Sequence, residues 1–373
     1  MPDLKKRDTV TCLLFCGFLV GAMLLFLLLP KAAFSEKEKR YLTEAPAFSW
    51  EALASGAFGA DLEAYLADHV PGRDGFVGLC AYFDLLTGRQ IDAPVYAARG
   101  GRLLEPPAAW DPDAAARNMD AITKFASAVG QRVDVMLIPS AGAALEDTIC
   151  GLHDSYDDEA MIRDIYAMAG DNVSCLDVTD TFLQSPRRED LYYRTDHHWT
   201  SLGAYSGYRT YQQLRGRAWL PEEAFSVETV PGFRGSTYSR SGLWLTKPEN
   251  LELWQAEGDF TVTNAETEGT HDGLFYRERL EELDKYTVFL DGNHSLVRIH
   301  HPQGQGNLLV IRDSFSNCLG TFLANSYETV TLVDLRYYKK PVSELFAEEA
   351  FTDVLVCYSI GNFLTDPNLI WLR

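Results

Sequence analysis

Apolar and polar positions alternate differently along successive parts of the chain, and each change of pattern predicts a different element. Thr9 to Pro30 is an unbroken uncharged run containing "CLLFCGFLVGAMLLFLLL". Its 22 residues predict a membrane-spanning helix, for which about 20 suffice. Residues 49–86 carry apolar side chains at three-and-four spacing, broken at Pro71-Gly72, and predict helices. "QRVDVMLIPS" predicts a buried strand ending in a Pro-Ser turn. Residues 157–170 predict a helix closed by Gly170, "VSCLDVTD" the next strand, and "SLGAYSGYRTYQQLRG" a helix capped by Ser201. Residues 220–300 lose the helical period until "LFYRERLEELDKY" and read as a loop-rich insertion with short strands. "NLLVIRDS", "VTLVDLRYY" and "DVLVCYSIGN" are apolar runs of parallel-sheet character, the first two followed by segments with helical potential. Strand alternating with helix implies a three-layer α/β fold around a mostly parallel sheet. Sites in such folds gather at the carboxyl ends of strands. That points to Asp313-Ser314, to Asp334–Arg336 and to Gly361-Asn362.

Charge and flanks place this fold. Lys5, Lys6 and Arg7 precede the apolar run and favour a cytoplasmic N-terminus, while Lys37, Lys39 and Arg40 soften that preference. A cleavable signal peptide is the rival reading, but its apolar core usually spans only ~7–15 residues, and "PKAAFS" is a poor cleavage site. Residues 1–33 are therefore expected to be a cytoplasmic tip and signal anchor, and residues 34–373 one extracytoplasmic domain. With 53 acidic against 33 basic residues, a net −20, the chain repels nucleic acid, so no such partner is expected. Beyond Cys12 and Cys16 in the anchor, Cys80, Cys150, Cys175, Cys318 and Cys357 show no metal spacing. Cys150 and Cys175 are a candidate disulfide; buried free thiols are the plainer expectation.

The chemistry concentrates in "RTDHHWTSLGAY", residues 194–205, which sets an acid and two histidines beside a tryptophan. Metal needs three or four protein ligands, and no Asp-x-Asp companion is present, so no metal or other cofactor is expected. A lone Asp-His pair is commonly a hydrogen-bonded surface feature. What shifts the balance is "NLLVIRDSFSN": a buried strand delivers Ser314 to a turn before a helix. A serine there needs a base to take its proton and a carboxylate to fix the base's tautomer. Asp196 and His198, two positions apart, offer both from one loop.

"TDHHWTSLGAY" with "IRDSFSN" resembles the DHHW family, related to the SGNH-like O-acetyltransferases that modify alginate and other exported polysaccharides. "FSEKEKRYLTEAP", "VMLIPSA", "FLDGNHS", "LVDLRYY" and "YSIGNFLTDPNL" extend the resemblance from about residue 34 to the C-terminus. The resemblance implies an SGNH-hydrolase-like fold in which the Asp/His block precedes the serine block, a circularly permuted order. It implies Ser314 as nucleophile, His198 as base and Asp196 as its orienting carboxylate, with His197 structural. Asn362 falls where an oxyanion-hole Asn is expected, and Asp313, Trp199 and Arg336 are further oxyanion or substrate-binding candidates. Arg336 serves equally well as an ion-pair partner of Asp334. Arg312 departs from the glycine common before Asp-Ser, and without a glycine after "LVDLR" the second oxyanion donor is unassigned. Tyr238, Trp244 and Trp254, like Tyr337 and Tyr338, are packing or sugar-stacking aromatics. The implied activity is acetyl transfer to an exported polysaccharide through an acyl-enzyme, with a polytopic membrane acyltransferase as acyl-donor partner. An SGNH-type carbohydrate esterase and a non-catalytic glycan-binding scaffold are the alternatives.

Overall fold

The computed structural model describes residues 2–372, with side chains from residue 7 onward. Lys5 and Lys6 of the basic flank thus lie outside the described side chains. Two compact units are present, one comprising residues up to Leu86 together with Gly242–Trp244, the other Thr87–Ser241 and Leu245–Arg373.

In the first unit, helix α1 (Pro2–Leu28) contains the stretch Arg7–Leu28, long and apolar enough to cross a membrane and nowhere buried. Three shorter helices follow: α2 (Trp50–Ser55), α3 (Ala57–His69) and α4 (Arg73–Leu86). Ser49 caps α2 by accepting from the Ala52 N–H, and Gly56, at φ 84°, ends it in the left-handed conformation that glycine adopts without strain. Arg40 donates to both carboxylate oxygens of Asp68 (2.9 and 2.5 Å). The Trp244 indole N–H donates to the Asp74 carbonyl (2.9 Å) and is thereby a packing residue.

The second unit is built on an eight-stranded sheet. In chain order its strands are β1 (Val133–Ile138), β2 (Val173–Cys175), β3 (Thr261–Asn264), β4 (His271–Asp272), β5 (Leu296–His300), β6 (Asn307–Arg312), β7 (Thr329–Val333) and β8 (Asp353–Ser359). Their spatial order is β4-β3-β5-β7-β6-β8-β1-β2. The five strands from β7 to β2 are parallel, whereas β5, β3 and β4 continue the sheet antiparallel. Three short strands of the 220–300 stretch form one edge of the main sheet. Only the hairpin Ser226–Phe233/Glu249–Gln255 stands apart from that sheet.

Side chains alternate across each strand and divide the core into two layers. Leu308 and Val310 pack with Cys318 and Phe322 of α8 (Phe315–Leu323) and with Tyr205 and Tyr208 of α7 (Ser201–Leu214). Leu309 and Ile311 pack with Met119, Ile122 and Phe125 of α5 (Pro112–Val129) and Ile165 of α6 (Asp158–Tyr166). Helix α9 (Ile360–Thr365) follows β8 directly. Helix α7 is capped by Thr200, whose hydroxyl accepts from the Gly203 N–H (3.2 Å), rather than by Ser201. Ser201 is the first helical residue and donates instead to the Glu252 carbonyl (2.5 Å).

Candidate active site

Strand β6 ends at Arg312, and the chain turns through Asp313 and Ser314 into α8. A serine at a helix N-cap ordinarily accepts from the first-turn N–H groups. Here Asp313 Oδ1 accepts from the Phe315 N–H instead (3.0 Å), and Ser314 makes no capping bond. Its hydroxyl is thereby free to donate to His198 Nε2 (2.7 Å). The Ser314 N–H has no protein acceptor among the described residues.

His198 sits on a tight loop, with the Tyr193 N–H donating to the His198 carbonyl (3.2 Å) and the Thr200 N–H to the Leu191 carbonyl (2.9 Å). Asp196 Oδ1 accepts from the His198 N–H (2.9 Å) and from His198 Nδ1 (2.5 Å), while Oδ2 accepts from the Ser236 N–H (2.7 Å). Burial opposes the charge on Asp196, but the neighbouring His198 and His197 imidazoles and these bonds outweigh it. Its carboxyl is held well below the usual carboxylate range. An ionised carboxylate only accepts, so the His198 proton lies on Nδ1 and Nε2 is the acceptor facing Ser314. Ser314, His198 and Asp196 therefore stand in one hydrogen-bonded line, all nearly inaccessible to solvent.

Two residues outside the loop fix it. Glu249, from the outlying hairpin, accepts from the Arg194 and Thr195 N–H groups (2.8 and 2.6 Å) and from the Thr195 hydroxyl (2.5 Å). Gly235 brings the backbone so close that a β-carbon there would overlap the Asp196 carboxylate. His197 packs on His198 (centroids 3.8 Å apart) and bonds Ser236 Oγ through Nδ1 (2.6 Å). Burial, then the neighbouring His198, lowers its pKa.

Asp313 ties the serine turn to the end of β8. Its Oδ2 accepts from the Ser359 N–H (2.8 Å), the Ser359 hydroxyl (2.9 Å) and Asn362 Nδ2 (2.8 Å). Asn362 lines a cavity of about 280 Å³ together with Asp196, His197, Phe315, Ser140 and Glu105. Glu105 forms an ion pair with Arg240 at this cavity. Trp199 is fully buried, stacked on Phe182 (5.8 Å), and its indole N–H donates to the Phe315 carbonyl (3.0 Å). It joins the histidine loop to the serine helix and has no donor left for a ligand. Arg336 is bidentate to Asp334 (2.9 and 2.6 Å) and does not line the cavity, so its charge is committed to that carboxylate. Tyr238 and Trp254 are largely buried and also do not line it.

Sequence reasoning missed the supporting shell. Tyr286 lies flat on the His198 imidazole (4.0 Å, 9°) from a 3-10 turn, Lys285–Val288. Arg312 is fully buried and bonds Asn293 Oδ1 (3.3 Å) and Asn317 Oδ1; burial lowers its pKa. Asn293 follows a strained loop in which Leu290 (φ 55°) and Asp291 (φ 64°) are both left-handed. The Asp291 carboxylate secures that loop by accepting from Arg279 Nε (2.6 Å) and bonding His294 (2.9 Å). Asp196, His197 and His198 also form the one group of three metal-capable side chains among the described residues. Both His198 nitrogens are already engaged by Asp196 and Ser314, so an ion there would have to break the serine line.

A mostly parallel three-layer α/β fold thus presents a buried Ser-His-Asp hydrogen-bonded line at the end of a central strand. The chain belongs to the DHHW protein family, whose model matches residues 113–333. Among solved structures, it is similar to a DHHW family protein from Eubacterium siraeum, with a TM-score of 0.63 and 21% identity over 74% of this chain and 93% of that one. It is similar to Bacillus cereus PatB1, with a TM-score of 0.61 and 20% identity over 73% of this chain and 97% of that one. A second PatB1 structure, carrying a sulfonyl adduct, matches at 0.61 and 18%, over 74% of this chain and 98% of that one. No curated protein matches the sequence.

Proposed function

We propose that this chain is a serine-dependent O-acyltransferase, acetyl transfer being the expected case, acting on a polysaccharide outside the membrane to which α1 anchors it. The observation that carries the reading is the Ser314 Oγ–His198 Nε2 contact of 2.7 Å continued by the His198 Nδ1–Asp196 Oδ1 contact of 2.5 Å. Ser314 Oγ attacks the acyl carbonyl as its proton passes to His198 Nε2. Collapse of the tetrahedral adduct expels the donor's oxygen, which takes that proton. An acceptor hydroxyl then gives its proton to His198 as it attacks the acyl carbon, and Ser314 Oγ leaves by taking that proton back from His198. The unpaired Ser314 N–H and the Asn362 amide, aligned by Asp313, are the oxyanion donors in this reading, each worth about 3 kcal/mol of barrier. No acetyl-CoA exists beyond the membrane, so a polytopic membrane acyltransferase supplies the acyl group and the anchor keeps the two together.

The test uses the full chain in detergent micelles with 4-nitrophenyl acetate, a sugar acceptor and mass spectrometry. The expected result is an acetyl group on Ser314 that needs His198 and passes to sugar. Passage to water alone would make the protein an esterase. An unmodified Ser314, indistinguishable from Ser314→Ala, would leave it a glycan-binding scaffold.

A further inference from the structure

We infer that Tyr286 is a positioning residue for the His198 base, its ring face holding the imidazole in line between Asp196 and Ser314 and stabilising the cationic form. The inference rests on the proposed role of His198.

The stack is unlike the other aromatic contacts of that ring. Tyr286 lies 4.0 Å from it at an interplanar angle of 9°, whereas Phe315 (5.0 Å, 55°) and His197 (3.8 Å, 40°) meet it tilted. A plate parallel to the imidazole blocks the rotation that would swing Nδ1 off Asp196 and Nε2 off Ser314. The plate is itself braced. Tyr193 meets Tyr286 edge-on (6.3 Å, 90°), Phe289 packs against it (5.2 Å, 62°), and Tyr193 rests on Phe233 (4.9 Å). The Tyr286 hydroxyl is buried and makes no hydrogen bond, so the residue acts through its ring. The face of an aromatic ring is electron-rich and attracts a cation placed over it, most strongly where water is excluded. The imidazole becomes such a cation when it holds the Ser314 proton. The titratable groups around it are Asp196 and His197 on its own loop, Asp313 on the serine turn and Tyr286 itself, with the Cys318 thiol of α8 beyond. Asp196 and Asp313 make no hydrogen bond to Tyr286, whose hydroxyl is unpartnered, so a substitution at 286 removes no hydrogen bond from either carboxylate.

The experiment compares the full chain in detergent micelles with Tyr286→Phe and Tyr286→Leu. Two quantities are read across pH: the rate at which a fluorophosphonate labels Ser314, and the imidazole nitrogen spectrum of 15N-histidine-labelled protein, with His198 assigned by His198→Gln. Tyr286→Phe, which keeps the ring, is expected to label within twofold of the unsubstituted protein with the same profile. Tyr286→Leu is expected to lose roughly three- to tenfold of the plateau rate. Its acid limb and its His198 titration should both move to lower pH, because the cation has lost its partner. Should the leucine variant unfold on thermal melting, pentafluorophenylalanine at 286 keeps the shape, reverses the ring's polarity and is expected to give the same displacement. An unmoved His198 titration in the leucine or pentafluoro variant, or equal losses in Phe and Leu, would overturn the inference. Unlabelled Ser314 in the unsubstituted protein would instead defeat the serine reading, leaving the imidazole titration to decide the stack.

Discussion

Replacing Asp313 by asparagine changes one buried oxygen to an NH₂ and tests whether this carboxylate holds the serine turn. Asp313 is 1% exposed and accepts four bonds, three on Oδ2 from Ser359 and Asn362 and one on Oδ1 from the Phe315 N–H. An amide keeps its oxygen on the crowded side, so its NH₂ faces the Phe315 N–H, donor against donor. The stranded N–H costs about 1–3 kcal/mol, and each of the three surviving bonds loses about 1 kcal/mol with the charge. Neighbouring bonds do not add fully, which gives roughly 3–5 kcal/mol of lost stability. The loss at the site is steeper, because the N-cap fixing Ser314 and the hold on the Asn362 amide weaken together. Labelling of Ser314 should fall by roughly a hundredfold, the value of one oxyanion donor. Urea unfolding and fluorophosphonate labelling measure the two effects on the same protein. Asp313→Asn within about 1 kcal/mol of the parent and labelled at its rate would refute the idea that this carboxylate organises the turn.

Gly235→Ala forces a methyl group into the Asp196 carboxylate, and labelling of Ser314 should drop at least tenfold while circular dichroism stays native. Trp199→Phe deletes the indole bond to the Phe315 carbonyl and leaves a gap beside Phe182, so urea unfolding should show a loss of about 2–3 kcal/mol. The depressed pKa of Asp196 means that below the normal carboxylate range the unfolded chain binds a proton that the folded chain refuses. Its contribution is present above the unfolded pKa and is lost as pH falls through that window, so Asp196→Asn should flatten stability against pH between about pH 5 and 2. All seven cysteines are free thiols, and burial raises the pKa of Cys318 and Cys357 while Cys150 is exposed. Ellman's reagent should therefore reach Cys150 in the native protein, reach Cys318 and Cys357 only on denaturation, and find no Cys150–Cys175 bridge.

The central strands were legible because β6, β7 and β8 are buried on both faces and so read as continuous apolar runs. Strands β3, β4 and β5 hid for the opposite reason: they are two to five residues long, and they mix buried with open positions, as in "TVTN" and "LVRIH". The Asp196–His198 spacing and the serine at a strand end are local patterns, and the structure brings those atoms into contact. Tyr286, Glu249 and Gly235 carry no local signature, since each acts on the loop from 39 or more residues away in sequence. Nothing in a tyrosine's neighbours announces a flat ring beneath a distant imidazole.

Strand β8 sits between β6 and β1, yet it follows both of them in the chain. Until residues 353–359 exist, the sheet is two fragments, β1–β2 on one side and β7–β6 with the antiparallel strands on the other, each with an unpaired edge. Open edges of apolar strands invite pairing with other chains. The same residues bring the Ser359 and Asn362 donors to Asp313. A chain lacking residues 353–362 thus loses both the seam of its sheet and the tether of its serine turn, so solubility and the assembled site depend on one short segment.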